Sequence, residues 1–117
     1  MSEVEEDGPP AWDDGLAVYA PGKYVIIGIT YVDAEGAFLR RAQMHGVIES
    51  ADPERGFRVA LRGEKEGGTY DLPPDPRGFQ PAEPGEYRLR ETGETIVDPD
   101  LLSTWTLHAP EAANDED

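Results

Sequence analysis

The stretch that most constrains this chain is residues 23–48. It reads Lys-Tyr-Val-Ile-Ile-Gly-Ile-Thr-Tyr-Val, then Asp33-Ala-Glu-Gly36, then Ala-Phe-Leu-Arg-Arg-Ala-Gln-Met-His-Gly-Val-Ile. Two long strand-like runs flank a four-residue turn signal, which is the pattern of a β-hairpin. Val25, Ile27, Ile29 and Tyr31 alternate with Tyr24, Ile26, Gly28 and Thr30. Both faces are largely apolar, which suits a strand covered on both sides or one wrapping a barrel. Gly28 inside the run suggests a bend or a close backbone approach. The second arm changes parity between Met44 and Val47, so a bulge is expected at Gly46.

The rest of the chain continues in short pieces. Leu16–Ala20 reads as a short first strand ended by Pro21-Gly22. Asp52-Pro-Glu-Arg-Gly56 is a turn. Residues 57–62 show the clearest alternation, with Phe57, Val59 and Leu61 inward and Arg58 and Arg62 outward. Residues 69–72, 86–90, 95–97 and 103–108 are further strand candidates. Asp98 to Leu102 reads as one helical turn, with Asp98 as N-cap and Pro99 at the first helical position. Five of the thirteen residues from Pro73 to Gly85 are proline, which leaves no room for a helix or a central strand.

Short strands at spacings of about ten residues predict an all-β fold. The first expectation is a small antiparallel barrel of SH3-like type, with an OB-type barrel or a small sandwich second. Its core should draw on Val25, Ile27, Ile29, Phe57, Val59, Leu61, Leu89, Trp105 and Leu107. The 117 residues suffice for one domain, placed at 15–109.

Charge is unevenly distributed. The chain holds 25 acids and 10 bases, a net charge of −15. Residues 1–14 carry six acids and residues 109–117 four, with no base in either segment. Residues 1–14 and 110–117 therefore read as disordered acidic tails. Trp12 is the exception, expected to fold back onto the domain because an exposed indole is costly in water. A basic face for phosphate is missing, which argues against nucleic-acid binding. The acidic N-terminus does not fit a secretory signal, and no apolar run is long enough to span a membrane. The expected location is the cytoplasm. The chain has no cysteine, so disulfides and thiolate metal sites are excluded.

No catalytic set stands out. Gly-x-Ser-x-Gly is absent, and Gly67-Gly68 lacks the lysine and helix of a phosphate loop. His45 and His108 could meet across a sheet, with Asp71 or Asp98 as a third metal ligand, but two histidines in a chain of this length are ordinary. No cofactor is expected. The leading expectation is a non-enzymatic protein-binding or accessory module with a protein partner. Its candidate surface is the proline-rich loop: Pro73, Pro74, Asp75, Arg77 and Phe79, with Phe79 as anchor and Asp75 and Arg77 free to face a ligand. One alternative is a small metal-binding or hydrolytic domain using His45 and His108 with Asp. Another is an acidic inhibitor or polyanion mimic acting through the tails.

Overall fold

The structure, a computed structural model, describes residues 12–108. The expected acidic tails lie outside the described residues, apart from Trp12, Asp13 and Asp14. Among the described residues the fold is all-β apart from one six-residue helix and two single 3-10 turns.

Helix α1 (Asp14–Tyr19) replaces the expected first strand. Asp13 caps it, its side chain accepting from the Leu16 N–H at 3.0 Å. Leu16 and Ala20 share one face at helical spacing and turn inward, Ala20 fully. Five apolar-leaning residues are too few to fix a period, and the cap decides the outcome.

The main sheet holds six strands: β1 (Tyr24–Val32), β2 (Phe38–Asp52), β3 (Gly56–Leu61), β4 (Thr69–Leu72), β5 (Phe79–Pro81) and β8 (Leu101–His108), in the order β4-β3-β2-β1-β8-β5. A separate ribbon pairs β6 (Glu86–Arg88) with β7 (Thr95–Val97). The β1–β2 hairpin forms as expected. The sheet is mixed, however, not purely antiparallel. Strand β8 runs parallel to β1, with Val25 opposite Leu101 and Val32 opposite His108.

That parallel pairing also removes the expected helical turn at 98–102. Asp98 takes a left-handed backbone, φ 51°, and its carboxylate accepts from the Gly85 N–H at 2.7 Å. Asp100 then bridges to β1: its carboxylate accepts from the Tyr24 N–H at 2.9 Å, and its own N–H donates to the Tyr24 carbonyl. Leu101 is thereby set beside Val25 at the start of β8.

Two irregularities correct the expected bulge. The β1–β2 ladder skips Leu39, and the β2–β3 ladder skips Glu49. Gly46 stays in register and serves another purpose: a Cβ there would collide with the Ala60 carbonyl. Gly28, by contrast, has open space where its side chain would be.

Both faces of β1 are covered. Val25, Ile27 and Ile29 join Met44, Ile48, Phe57, Val59, Leu61, Leu72 and Leu101 in the main core. Ile26 packs on the other face with Leu89 and Ile96 from the β6–β7 ribbon segment. Of the expected core, Trp105 and Leu107 are half-buried against the main cluster, and Leu89 belongs to the smaller one.

The sheet is strongly curled. Phe57 on β3 and Phe79 on β5 lie four strands apart in the order, which in a flat sheet is about 19 Å. Their ring centroids are 4.4 Å apart. The curl is completed by side chains, since β4 and β5 are the two edges of the order and no β4–β5 pairing is found among the described residues. Trp12 does fold back, its ring 5.4 Å from Phe57. With Trp105 at 6.0 Å from Phe79, four aromatic rings form one row across the interior.

Candidate functional site

The proline-rich segment is ordered by local chemistry. Asp75 accepts from the Arg77 backbone N–H and from its guanidinium at 2.9–3.0 Å. The Arg77 guanidinium holds the Asp75 carboxyl below its usual range, and Asp75 raises Arg77 in return. The two are therefore engaged with each other, while the Arg77 side chain stays 75% exposed. Residues Pro76–Gly78 make a 3-10 turn, and β5 follows as an edge strand. The segment is thus not structureless. Gly78 lies so close to the Trp105 ring that a Cβ there would overlap it, so Trp105 and Phe79 together pin the loop.

Between this segment and α1 lies a groove of about 420 Å³, lined by Asp13, Leu16, Tyr19, Phe79, Pro81 and Leu101 among others. Phe79 forms part of it. Pro73, Pro74, Asp75 and Arg77 do not line it. On α1, Tyr19 lines the groove and is 46% exposed, while Val18, 83% exposed, lies outside it. The Lys23 ammonium sits 4.8 Å above the Tyr19 ring, a cation–π contact that steadies the ring.

The outer edge of β5 offers few donors. The Phe79 N–H donates to the Pro76 carbonyl, and Pro81 has no N–H. Proline blunts a strand edge in this way. A ligand in this groove would be held by side-chain packing more than by main-chain pairing.

The histidines do not meet. His45 on β2 is opposite Ile26, and His108 on β8 is opposite Val32, which puts six residues, about 20 Å, between them along β1. Asp71 is paired with Arg58 at 2.9 Å, and Asp98 with the Gly85 backbone. No group of three or more metal-ligating side chains occurs among the described residues.

His45 instead anchors a cluster that the sequence concealed. It is 5% exposed. Its Nδ1 lies 2.7 Å from Tyr24 Oη, and its Nε2 3.1 Å from Glu94 Oε1. A carboxylate only accepts, so Glu94 selects the tautomer protonated on Nε2, and Nδ1 then accepts from Tyr24. The Nε2 contact is short but out of line for a hydrogen bond, so attraction there is mainly electrostatic. The other Glu94 oxygen accepts from the Glu64 N–H at 3.0 Å. Desolvation pushes Glu94 up, but the Glu64 N–H, the Thr92 hydroxyl and His45 together hold it below its ordinary value. Burial pushes Tyr24 up, with Glu94 and Glu66 adding to this and Arg62 opposing it. A raised phenol is a poor nucleophile. The cluster joins β1, β2, the 3-10 turn at Gly63–Lys65 and the β6–β7 turn. It reads as a buried clamp rather than a catalytic relay.

What the fold and groove define is an all-β protein built on a curled, mixed six-stranded sheet, with an open groove beside the edge strand β5. No family model matches the chain, and comparisons with curated proteins and with solved structures return no match. Among the described residues, no helix is long and apolar enough to cross a membrane.

Proposed function

We propose that this protein is a non-enzymatic protein-binding or accessory module whose ligand site is the groove between α1 and β5. The curled sheet is read as an SH3-like barrel left open between β4 and β5, formed by one domain at residues 15–109 and working in the cytoplasm. One observation carries the reading: the groove of about 420 Å³ is lined by Leu16, Phe79, Leu101 and Tyr19, the last of which stays 46% exposed although it is large and aromatic. Such a patch beside a concave surface is a common mark of a binding site. The blunted edge of β5 narrows the ligand to a segment that inserts apolar side chains, not one that adds a strand.

Peptide selection followed by amide chemical-shift mapping tests it. Selected peptides should shift Gly15, Leu16, Tyr19, Phe79 and Gln80, and Tyr19→Ala should weaken binding about tenfold, the cost of losing one packed aromatic contact. Selection that yields no binder, or shifts confined to other surfaces, would remove the proposal.

A further inference from the structure

The inward face of the sheet loses its cover at the hairpin end. Along β1, Val25, Ile27 and Ile29 are buried, but Tyr31 on the same face is only half-buried. The neighbouring strands change at the same level. On β8, Leu101 and Ser103 are buried, while Trp105 and Leu107 are half-buried. On β2, Met44 is buried, Ala42 half-buried and Arg40 exposed. The register puts these residues in two rows: Ile29 stands between Ala42 and Trp105, and Tyr31 between Arg40 and Leu107. The curled interior therefore opens in a mouth bounded by β2, β1 and β8.

The curl supplies a further wall. Tyr70 on β4 is three strands from β1, about 14 Å in a flat sheet. Its hydroxyl nevertheless comes within hydrogen-bonding reach of the Tyr31 hydroxyl, and burial together with that neighbour pushes the Tyr70 phenol up. The Trp105 indole N–H donates to Ser103 Oγ at 2.7 Å, and the ring meets Phe79 edge-on. Three aromatic rings are thus held in place around the opening.

One cation stands on the rim. The Arg40 guanidinium lies 4.0 Å from the Tyr31 ring centroid. Stacking of this kind leaves its N–H edge free. Among the described residues, no carboxylate lies within ion-pair distance of it. Arg41 is opposite Thr30 and belongs to the other face of the sheet.

We propose that this mouth binds a small aromatic monocarboxylate, its ring among Tyr31, Tyr70, Trp105 and Leu107 and its carboxylate on Arg40. Flat rings pack well against aromatic walls. A guanidinium edge matches a carboxylate with two parallel hydrogen bonds. The net charge of −15 repels polyvalent anions such as nucleoside phosphates, so a single negative charge is what one free arginine suits. A curl of six strands fills its interior with side chains, so the ligand lies one ring deep. The site is independent of the groove between α1 and β5, which none of these residues lines.

Phenylacetate is the probe, added to the full chain and followed through amide and indole N–H signals. The amides of Tyr31, Arg40 and Leu107 and the Trp105 indole should shift saturably. The Kd should be about 1 mM or below, within reach of a ligand this small. Neutral phenylacetamide should bind about tenfold more weakly, and Arg40→Gln should weaken phenylacetate by the same factor, the worth of one charge-assisted contact. Unchanged core amide signals would show that variant to be folded. Arg41→Gln, on the other face, should leave the Kd as it is. The proposal is overturned if no saturable shift occurs, if the amide binds as tightly as the acid, or if Arg40→Gln has no more effect than Arg41→Gln. Shifts confined to Leu16, Tyr19 and Gln80 overturn it too, by moving the ligand to the other groove.

Discussion

Phe57 and Phe79 stand on strands four places apart in the sheet, and their ring centroids are 4.4 Å apart. That contact exists only because the sheet curls, so it reports closure of the interior directly. Phe57 is 1% exposed, and Phe57→Ala should cost about 3–5 kcal/mol. Phe79 is only half-buried, so Phe79→Ala should cost less, about 2–3 kcal/mol. The double variant should be less destabilised than the sum by about 0.5–1.5 kcal/mol, the usual worth of an aromatic pair. Urea unfolding of the four proteins measures this. Strict additivity would mean the rings do not support each other.

Glu94 predicts an acid-sensitive step. A glutamate in the unfolded chain titrates near pH 4.3, and Glu94 is held lower in the fold. Its contribution to stability is therefore complete above about pH 4.3 and disappears as the pH falls through the lower folded value. Glu94→Gln should be less stable at pH 7 and should lose less of its remaining stability between pH 5 and 3. Urea midpoints across that range, compared with the parent chain, isolate Glu94 from the other lowered carboxylates at Asp52, Asp71 and Asp75. Parallel pH profiles would show that the clamp contributes nothing.

The hydroxyl of Tyr24 can be tested separately. Removing it leaves His45 Nδ1 buried without its 2.7 Å partner. Tyr24→Phe should cost about 1–3 kcal/mol, the penalty for an unsatisfied buried acceptor. Chemical denaturation checks the magnitude, and a neutral outcome would imply that water takes the hydroxyl's place.

Gly63 supports the same clamp through space rather than charge. Its φ is +70°, and a Cβ would fall on the Glu94 carboxylate and the His45 ring. Gly36 has a similar φ of +91°, but open space around it. Gly36→Ala therefore reports backbone strain alone, about 1–2 kcal/mol. Gly63→Ala should exceed it and should also perturb the His45 ring resonances. Equal effects of the two substitutions would mean that the turn yields without disturbing Glu94.

Local pattern was readable from residues alone wherever neighbours in sequence decide the outcome. The alternation of Phe57, Val59 and Leu61 makes β3 and its inward face, the Asp33–Gly36 turn makes the hairpin, and the isolated apolar Phe79 becomes an anchor for the proline-rich segment. Asp13 as a helix cap was present in the sequence too, but a six-residue element carries too little periodicity to outweigh a strand reading. Decisions between distant segments had no such signal. A period of two marks a strand without naming its neighbour or its direction, so only the fold sets β8 parallel to β1, joined by Asp100 to Tyr24 across 76 residues. The groove depends on α1 meeting β5, and the clamp on Glu94 reaching His45. Each needs segments distant in sequence to be packed together, because burial and desolvation are properties of the folded whole and not of any one stretch of chain.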